Sequence, residues 1–286
     1  MRRLLDSHVH VWDLDRLNLP WLGSVPRLDR SYLTEDYLAA LPEIESIQAV
    51  YLEVDAASGD EERELELVDE LLRDEDGPFM SAVVRGDPAA PDLAEWIART
   101  SSVRGVSGFR TVLHTPDQPR GICLLPTFIE GVRSMGEAGM HFELCMREVE
   151  LADAAELARA APGTRLVLDH FGNASPGGES HLHWRDDISR IAEQENVFCK
   201  VSGFFQNAHP DWSVAEVSAL IDHVRNCFGV ERLMFGGNWP VCTLVGSLRL
   251  WIEVVDEVTR HWSDRDRDAL FHENADAFYG SRSGAG

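Results

Sequence analysis

The chain has 286 residues, 44% hydrophobic and 26% charged, the ordinary composition of a globular protein able to bury a large core. Its 49 acidic against 26 basic residues give a formal net charge of −23, which argues against a nucleic-acid partner, because phosphate binding needs a basic footprint. Five widely spaced cysteines without a CxxC exclude a disulfide framework or a cysteine zinc site, and no apolar run approaches the roughly 18 residues that span a bilayer.

At the N-terminus, Met1-Arg2-Arg3 is followed by only Leu4 and Leu5 before Asp6, so no secretory leader is expected and the expected location is the cytoplasm. Eight apolar or β-branched runs then read as strands: Leu4 to His10, Ile47 to Val54, Phe79 to Arg85, Val103 to Arg110, Met140 to Met146, Arg165 to Phe171, Val197 to Gly203 and Arg232 to Asn238. Their centres lie about 33 residues apart, one strand-plus-helix unit. Helical periodicity fills the intervals. Glu61 to Asp74 places Leu65, Val68, Leu71 and Leu72 on one face, and Val214 to Phe228 reads the same way. Leu248 to Val258 would bury Trp251, Ile252, Val255 and Val258.

Eight such units give either a closed β/α-barrel or an open doubly wound sheet. The second calls for a glycine-rich turn after an early strand, and none is present. The expected fold is therefore a single α/β (β/α)8 TIM barrel over residues 1–280, with 281–286 as a disordered tail. Two longer connections, Asp13 to Leu33 and Asn173 to His183, would cover the barrel mouth and bring Trp21, His181, His183 and Trp184 near a pocket.

Barrel chemistry sits at the C-terminal ends of the strands. Strand one delivers His8 and His10 to one face by period-two alternation, where two imidazoles can share a divalent ion or orient a carbonyl. Taken alone, the pair reads better as two hydrogen-bonded core histidines. The other strand ends change that reading, because they supply Glu53, Arg110, Glu143, Asp169-His170, Lys200 with Ser202, and Asn238-Trp239. Isolated buried charges cost several kcal/mol unless paired, so this convergence points to a functional centre. Lys200 is expected either in that centre or as a structural partner of Glu143. Asp169 either joins it or points outward to cap a helix.

Seven stretches carry a family likeness: DSHVHVW at 6–12, PWL at 20–22, GFR at 108–110, LDHFG at 168–172, CKVSG at 199–203, ERLMFGGNWPVC at 231–242 and NADAFY at 274–279. On them the sequence resembles the amidohydrolase superfamily, metal-dependent hydrolases of the TIM-barrel fold, in its branch of sugar-lactone hydrolases. The resemblance implies a barrel that opens an intramolecular ester with an activated water. It implies His8, His10 and His170 as ligands of one divalent metal, zinc foremost, or metal-free polarisation of the carbonyl by the same groups.

Two positions depart from that pattern. Asn238 stands where the family carries an aspartate that takes the proton from water, and Glu53 stands where it usually carries glutamine. An amide has no useful proton affinity near pH 7. The expectation is a carboxylate transferred from strand eight to strand two. Glu53 would activate the water, Arg110 and the histidines would polarise the carbonyl, and Trp12, Trp21, Glu143, Lys200 and Trp239 would hold the substrate. A smaller departure, Asn173-Ala174 in place of Lys-Pro, falls in the connection after strand six. Two other readings stand beside this one: a metal-dependent decarboxylase of the same superfamily, and a ligand-binding protein that has lost catalysis with the strand-eight acid. The expected partner is a small-molecule lactone, with no nucleic acid or membrane, and a homo-oligomer is left open.

Overall fold

Runs rich in Val, Leu, Phe and Ile, buried on both faces, form eight parallel strands: β1 (Arg3–Val9), β2 (Ser46–Leu52), β3 (Phe79–Arg85), β4 (Val106–Val112), β5 (His141–Cys145), β6 (Leu166–Leu168), β7 (Val197–Val201) and β8 (Leu233–Phe235). The structure is a computed structural model that describes residues 3–116, 118–176 and 181–280. The strands pair in sequence order from β1 to β8. At the mouth, β8 returns to β1: His10 N donates to Trp239 O at 2.8 Å and Asn238 N to His8 O at 2.8 Å. Asp6 reinforces that seam by accepting from Gly237 N at 2.6 Å. The expected barrel is the observed fold.

A helix follows each strand and buries one apolar stripe on the outside of the sheet. The helices Val214–Phe228 and Leu248–Val258 have the bounds read from periodicity, and Glu61–Arg73 stops one residue early. Trp251, Ile252, Val255 and Val258 are buried as expected. Inside the barrel, Leu5, Val50, Leu52, Val83, Val167 and Met234 form the lower layer, closed from below by Phe278 and Tyr279 of the C-terminal helix Asn274–Tyr279. No helix among the described residues is long and apolar enough to cross a membrane. Residues 281–286, expected to be disordered, lie outside the described residues.

Six of the strands end short of their expected limits at the mouth, while β3 ends at Arg85 as expected and β4 runs two residues further, to Val112. β6 stops at Leu168 because His170 and Phe171 turn to positive φ, 56° and 53°, which no strand residue adopts. Asn238, with φ 51°, likewise lies beyond the end of β8. β4 begins at Val106, three residues late, since Gly105 turns the chain at φ 90°.

Candidate active site

A cavity of about 190 Å³, the space of roughly six waters, opens at the C-terminal ends of the strands. Of the residues expected at a site, His10, Trp12, Trp21, Arg110, His170 and Asn238 line it. The connection from Asp13 to Leu33 does cover the mouth: Trp21 Nε1 donates to Val54 O at 2.8 Å, and the Trp21 ring meets Trp12 edge-on at 5.7 Å. The second expected loop gives less. Trp184 is packed in the core with its Nε1 donating to Phe171 O at 2.6 Å, and His183 is exposed on the helix His181–Ala192. Residues 177–180 and the side chain of His181 lie outside the described residues.

His8, Glu53, Glu143, Lys200 and Trp239, also expected at the site, do not reach the cavity wall, and His8 is fully buried. Trp239 is buried against Tyr32 and Tyr37. Glu143 and Lys200 form an ion pair at 2.5 Å, fully buried beneath the floor, where Tyr279 Oη donates to Glu143 Oε1 at 2.8 Å. Lys200 thus pairs with Glu143 and also stands 3.3 Å from His8 Nδ1, so it touches both expected settings. A buried charge pair needs this extra satisfaction to be tolerated. Asp169 turns inward instead of capping a helix: its Oδ1 lies 3.4 Å from both His8 Nδ1 and Lys200 Nζ, and it makes no cap bond to the turn His170–Asn173.

Glu53 is committed to its neighbours. Its Oε1 accepts from Arg110 Nε at 2.7 Å and its Oε2 from Asp55 N at 2.7 Å. The sequence expectation that Glu53 faces a water meets this geometry badly, since both oxygens are taken by donors. Burial works against the Arg110 charge, but Glu53 together with Cys145, Asp169 and Glu143 outweighs it and holds the guanidinium above its ordinary value. Burial likewise opposes ionisation of Asp169, yet Lys200, His8 and His170 together outweigh it and keep the carboxylate well below the usual range.

The histidines are neutral. Burial, then the Arg110 charge, takes His10 down to about 3. Burial, opposed by Asp169 and reinforced by Arg110, takes His170 to about 3, and burial lowers His8 well below its ordinary value. His10 Nδ1 faces two carbonyls, Leu52 O at 3.0 Å and Glu53 O at 3.1 Å, so it must carry the proton and leave Nε2 with its lone pair inward. His8 Nε2 lies 3.2 Å from that nitrogen. His170 is held by Ser202 Oγ at 2.8 Å from its Nδ1. Its ring fits only because residue 203 is glycine: φ there is 68°, and a Cβ would fall 2.3 Å from His170 Cγ.

Could these residues hold the divalent ion that the fold family implies? Two tetrahedral Zn–N bonds put their nitrogens about 3.3 Å apart, which the His8–His10 pair matches. Among the described residues, His8, Asp169 and His170 bring ligand atoms within 4.8 Å of one another, with Asp169 where His10 was expected in the triad. Asp169 Oδ1 is buried without a hydrogen-bond donor. Neutral imidazoles and an orphaned carboxylate oxygen are a donor set that fits a zinc-like cation.

The polar and ionisable wall residues missed from sequence are Asp55, His114, Thr115, Cys145 and Gln206. His114 Nδ1 sits 3.2 Å from Cys145 Sγ, whose thiol burial pushes up to about 12. Gln206 accepts from Asn238 Nδ2 at 3.0 Å and donates to Asn173 Oδ1. Asp55 stands three residues past the end of β2, and Cys145 is the last residue of β5, strand ends that were read for other residues. His114 belongs to a loop and Gln206 to the short helix Phe204–Asn207, neither with a pattern to mark it.

Residues 5–281 match the amidohydrolase family. The chain is 30% identical to an L-fucono-1,5-lactonase of Burkholderia multivorans, over 91% of this chain and 88% of that protein. Among solved structures, an amidohydrolase of Burkholderia multivorans with bound zinc superposes with a TM-score of 0.83 at 26% identity, covering 97% of this chain and 99% of that one. Amidohydrolase 2 from Bifidobacterium longum subsp. infantis superposes with a TM-score of 0.73 at 29% identity, covering 98% and 99%.

Proposed function

The chain is a hydrolase of the amidohydrolase family, and we propose that it opens the ring ester of a lactone, of the sugar-acid type, with water as nucleophile. The observation that carries this reading is Arg110. Arg110 lines the cavity, its charge is secured from behind by Glu53, and its Nη1 stands 3.3 Å from Nε2 of the fully buried His8. A carbonyl oxygen seated beside Arg110 meets a fixed cation and the neutral imidazoles of His10 and His170. Donors of this kind favour the tetrahedral oxyanion over the planar ester, which is how such a site lowers the barrier. A divalent ion on His8, Asp169 and His170, with His10 beside it, would add Lewis-acid polarisation of the same oxygen.

The rest of the wall suits a polyhydroxylated ring. Trp12 and Trp21 offer flat apolar faces, and the Asn238–Gln206 amide pair offers donors and acceptors to hydroxyl groups. Collapse of the tetrahedral intermediate breaks the ring C–O bond, and the alkoxide takes a proton to give a hydroxy acid. The negative overall charge of the chain disfavours an anionic substrate, except where Arg110 reverses the local field.

The test is a panel of five- and six-membered aldonolactones with acid release followed by a pH indicator. Turnover of at least one, lost in Arg110→Ala, supports the reading. Saturable lactone binding by calorimetry with no acid release would replace it with the ligand-binding alternative that Asn238 suggests.

A further inference from the structure

Lactone hydrolysis needs a group to take the proton from water, and the residue at the end of β8 where the resemblance places that acid is the amide Asn238. Resting on the lactonase reading, we infer that Asp55 is the general base. Among the described residues that line the cavity, Asp55 is the one carboxylate. The other titratable wall groups serve poorly. Arg110 is locked as a cation, Cys145 is a protonated thiol, and His10 presents its one lone pair to His8. His114 leans on Cys145 through Nδ1, and His170, held by Ser202 at its Nδ1, is taken down to about 3 by burial, too weak a base to serve.

The backbone around Asp55 is built to present it. β2 ends at Leu52, and the next amides are tethered one after another. Val54 N donates to Glu64 Oε1 at 2.9 Å, and Asp55 N to Glu53 Oε2 at 2.7 Å, both acceptors being buried carboxylates. Trp21 fixes the Val54 carbonyl. The chain then turns at Asp55 with φ 49°, a conformation that L residues adopt at a cost and that persists only where its surroundings over-determine it. Arg85 bonds Ala56 O at 2.5 Å and approaches Asp55 Oδ1 at 3.6 Å. At the cavity wall the Asp55 side chain is 37% exposed, which gives water access to it.

Glu53 thereby acquires a different role from the one its position suggested. One of its oxygens aims Arg110 and the other winds the turn that carries Asp55, so it is a positioning residue for both halves of the reaction. In the first half, Asp55 takes a proton from water as the water oxygen bonds to the carbonyl carbon. In the second, the ring C–O bond breaks and Asp55 returns that proton to the departing alkoxide. One water is consumed and the carboxylate is regenerated.

The experiment compares the parent, Asp55→Asn, His114→Gln and the double variant Asp55→Asn/Asn238→Asp on a lactone that the parent hydrolyses. Asparagine tolerates the left-handed backbone, so the turn is kept, and a thermal melt verifies folding. Asp55→Asn is expected to lower kcat by about 10²- to 10⁴-fold with KM within about threefold of the parent. Returning the carboxylate to strand eight is expected to recover about tenfold or more, which a merely structural role for Asp55 would not do. The inference is overturned by a kcat within about threefold of the parent, by no recovery in the double variant, or by a larger kcat loss in His114→Gln. A parent that hydrolyses no lactone removes the lactonase reading itself and this inference with it, and that outcome is read from the parent alone.

Discussion

Arg110 and Glu53 are joined twice: Nε donates to the Glu53 carboxylate at 2.7 Å and Nη2 to the Glu53 main-chain carbonyl at 2.8 Å. Two bonds to one residue fix the plane of the guanidinium, and the remaining Nη1 is left for His8, Asp169 and the cavity. A lysine at this position keeps the charge but not the fork, and cannot serve carboxylate, carbonyl and substrate together. Arg110→Lys is expected to lower kcat about 10²- to 10³-fold, the usual loss when one oxyanion donor is displaced. Steady-state kinetics on the best lactone of the panel check it, and activity within about threefold of the parent would refute a role for the fork.

Removing the other partner acts first on stability. Glu53→Gln leaves a buried guanidinium facing a neutral amide, and the loss of one half of a buried pair typically costs about 3 kcal/mol or more. Urea unfolding should show that loss with an unchanged slope. A change below about 1 kcal/mol would mean that Asp169, 3.5 Å from Nη1, already balances the charge.

Metal binding has its own readout. After chelation and gel filtration, zinc offered to the chain is expected to bind at one equivalent per chain, measured by elemental analysis. His8→Ala should abolish it, and Asp169→Asn should weaken it about 10- to 100-fold. Undiminished stoichiometry in His8→Ala would place the ion elsewhere.

The barrel could be read from the sequence because its signals are local and repeated. Eight apolar runs and the helical stripes between them carry their own periods, and the helix Val214–Phe228 even announces its start with Ser213 accepting from Glu216 N. The strand-end chemistry was half legible. Alternation along β1 put His8 and His10 on one face, and so they lie. Alternation fails where the strand stops, however, and the site begins there. His170, Asn238 and Asp55 all sit at positive φ, where side-chain direction depends on tethers from distant segments such as Glu64 and Ser202. Depth was not legible at all. Nothing in the local pattern distinguishes Lys200, sealed under the floor by Glu143 and Tyr279, from Arg110, which reaches the cavity.

Glu64 gives the chain a pH-dependent stability that can be measured without substrate. Its Oε1 accepts from Tyr51 Oη at 2.8 Å and from Val54 N at 2.9 Å. Burial, helped by the nearby Glu53 charge, nevertheless raises its carboxyl from the ordinary 4.5 to about 7. Between those values the folded chain holds a proton that the unfolded chain releases, so the free energy of unfolding falls as pH rises through this window. The stabilisation is complete below about pH 4.5 and gone above about pH 7, and it amounts to about 3 kcal/mol across the window. Glutamine keeps the accepting oxygen and cannot ionise. Glu64→Gln should therefore leave stability near the parent's at pH 4.5 and exceed it by up to about 3 kcal/mol at pH 8, in urea melts taken as variant minus parent at each pH. A difference that is flat with pH would show that Glu64 ionises in the folded chain as easily as in water. It would also weaken the case for a turn at Asp55 anchored on a protonated carboxyl.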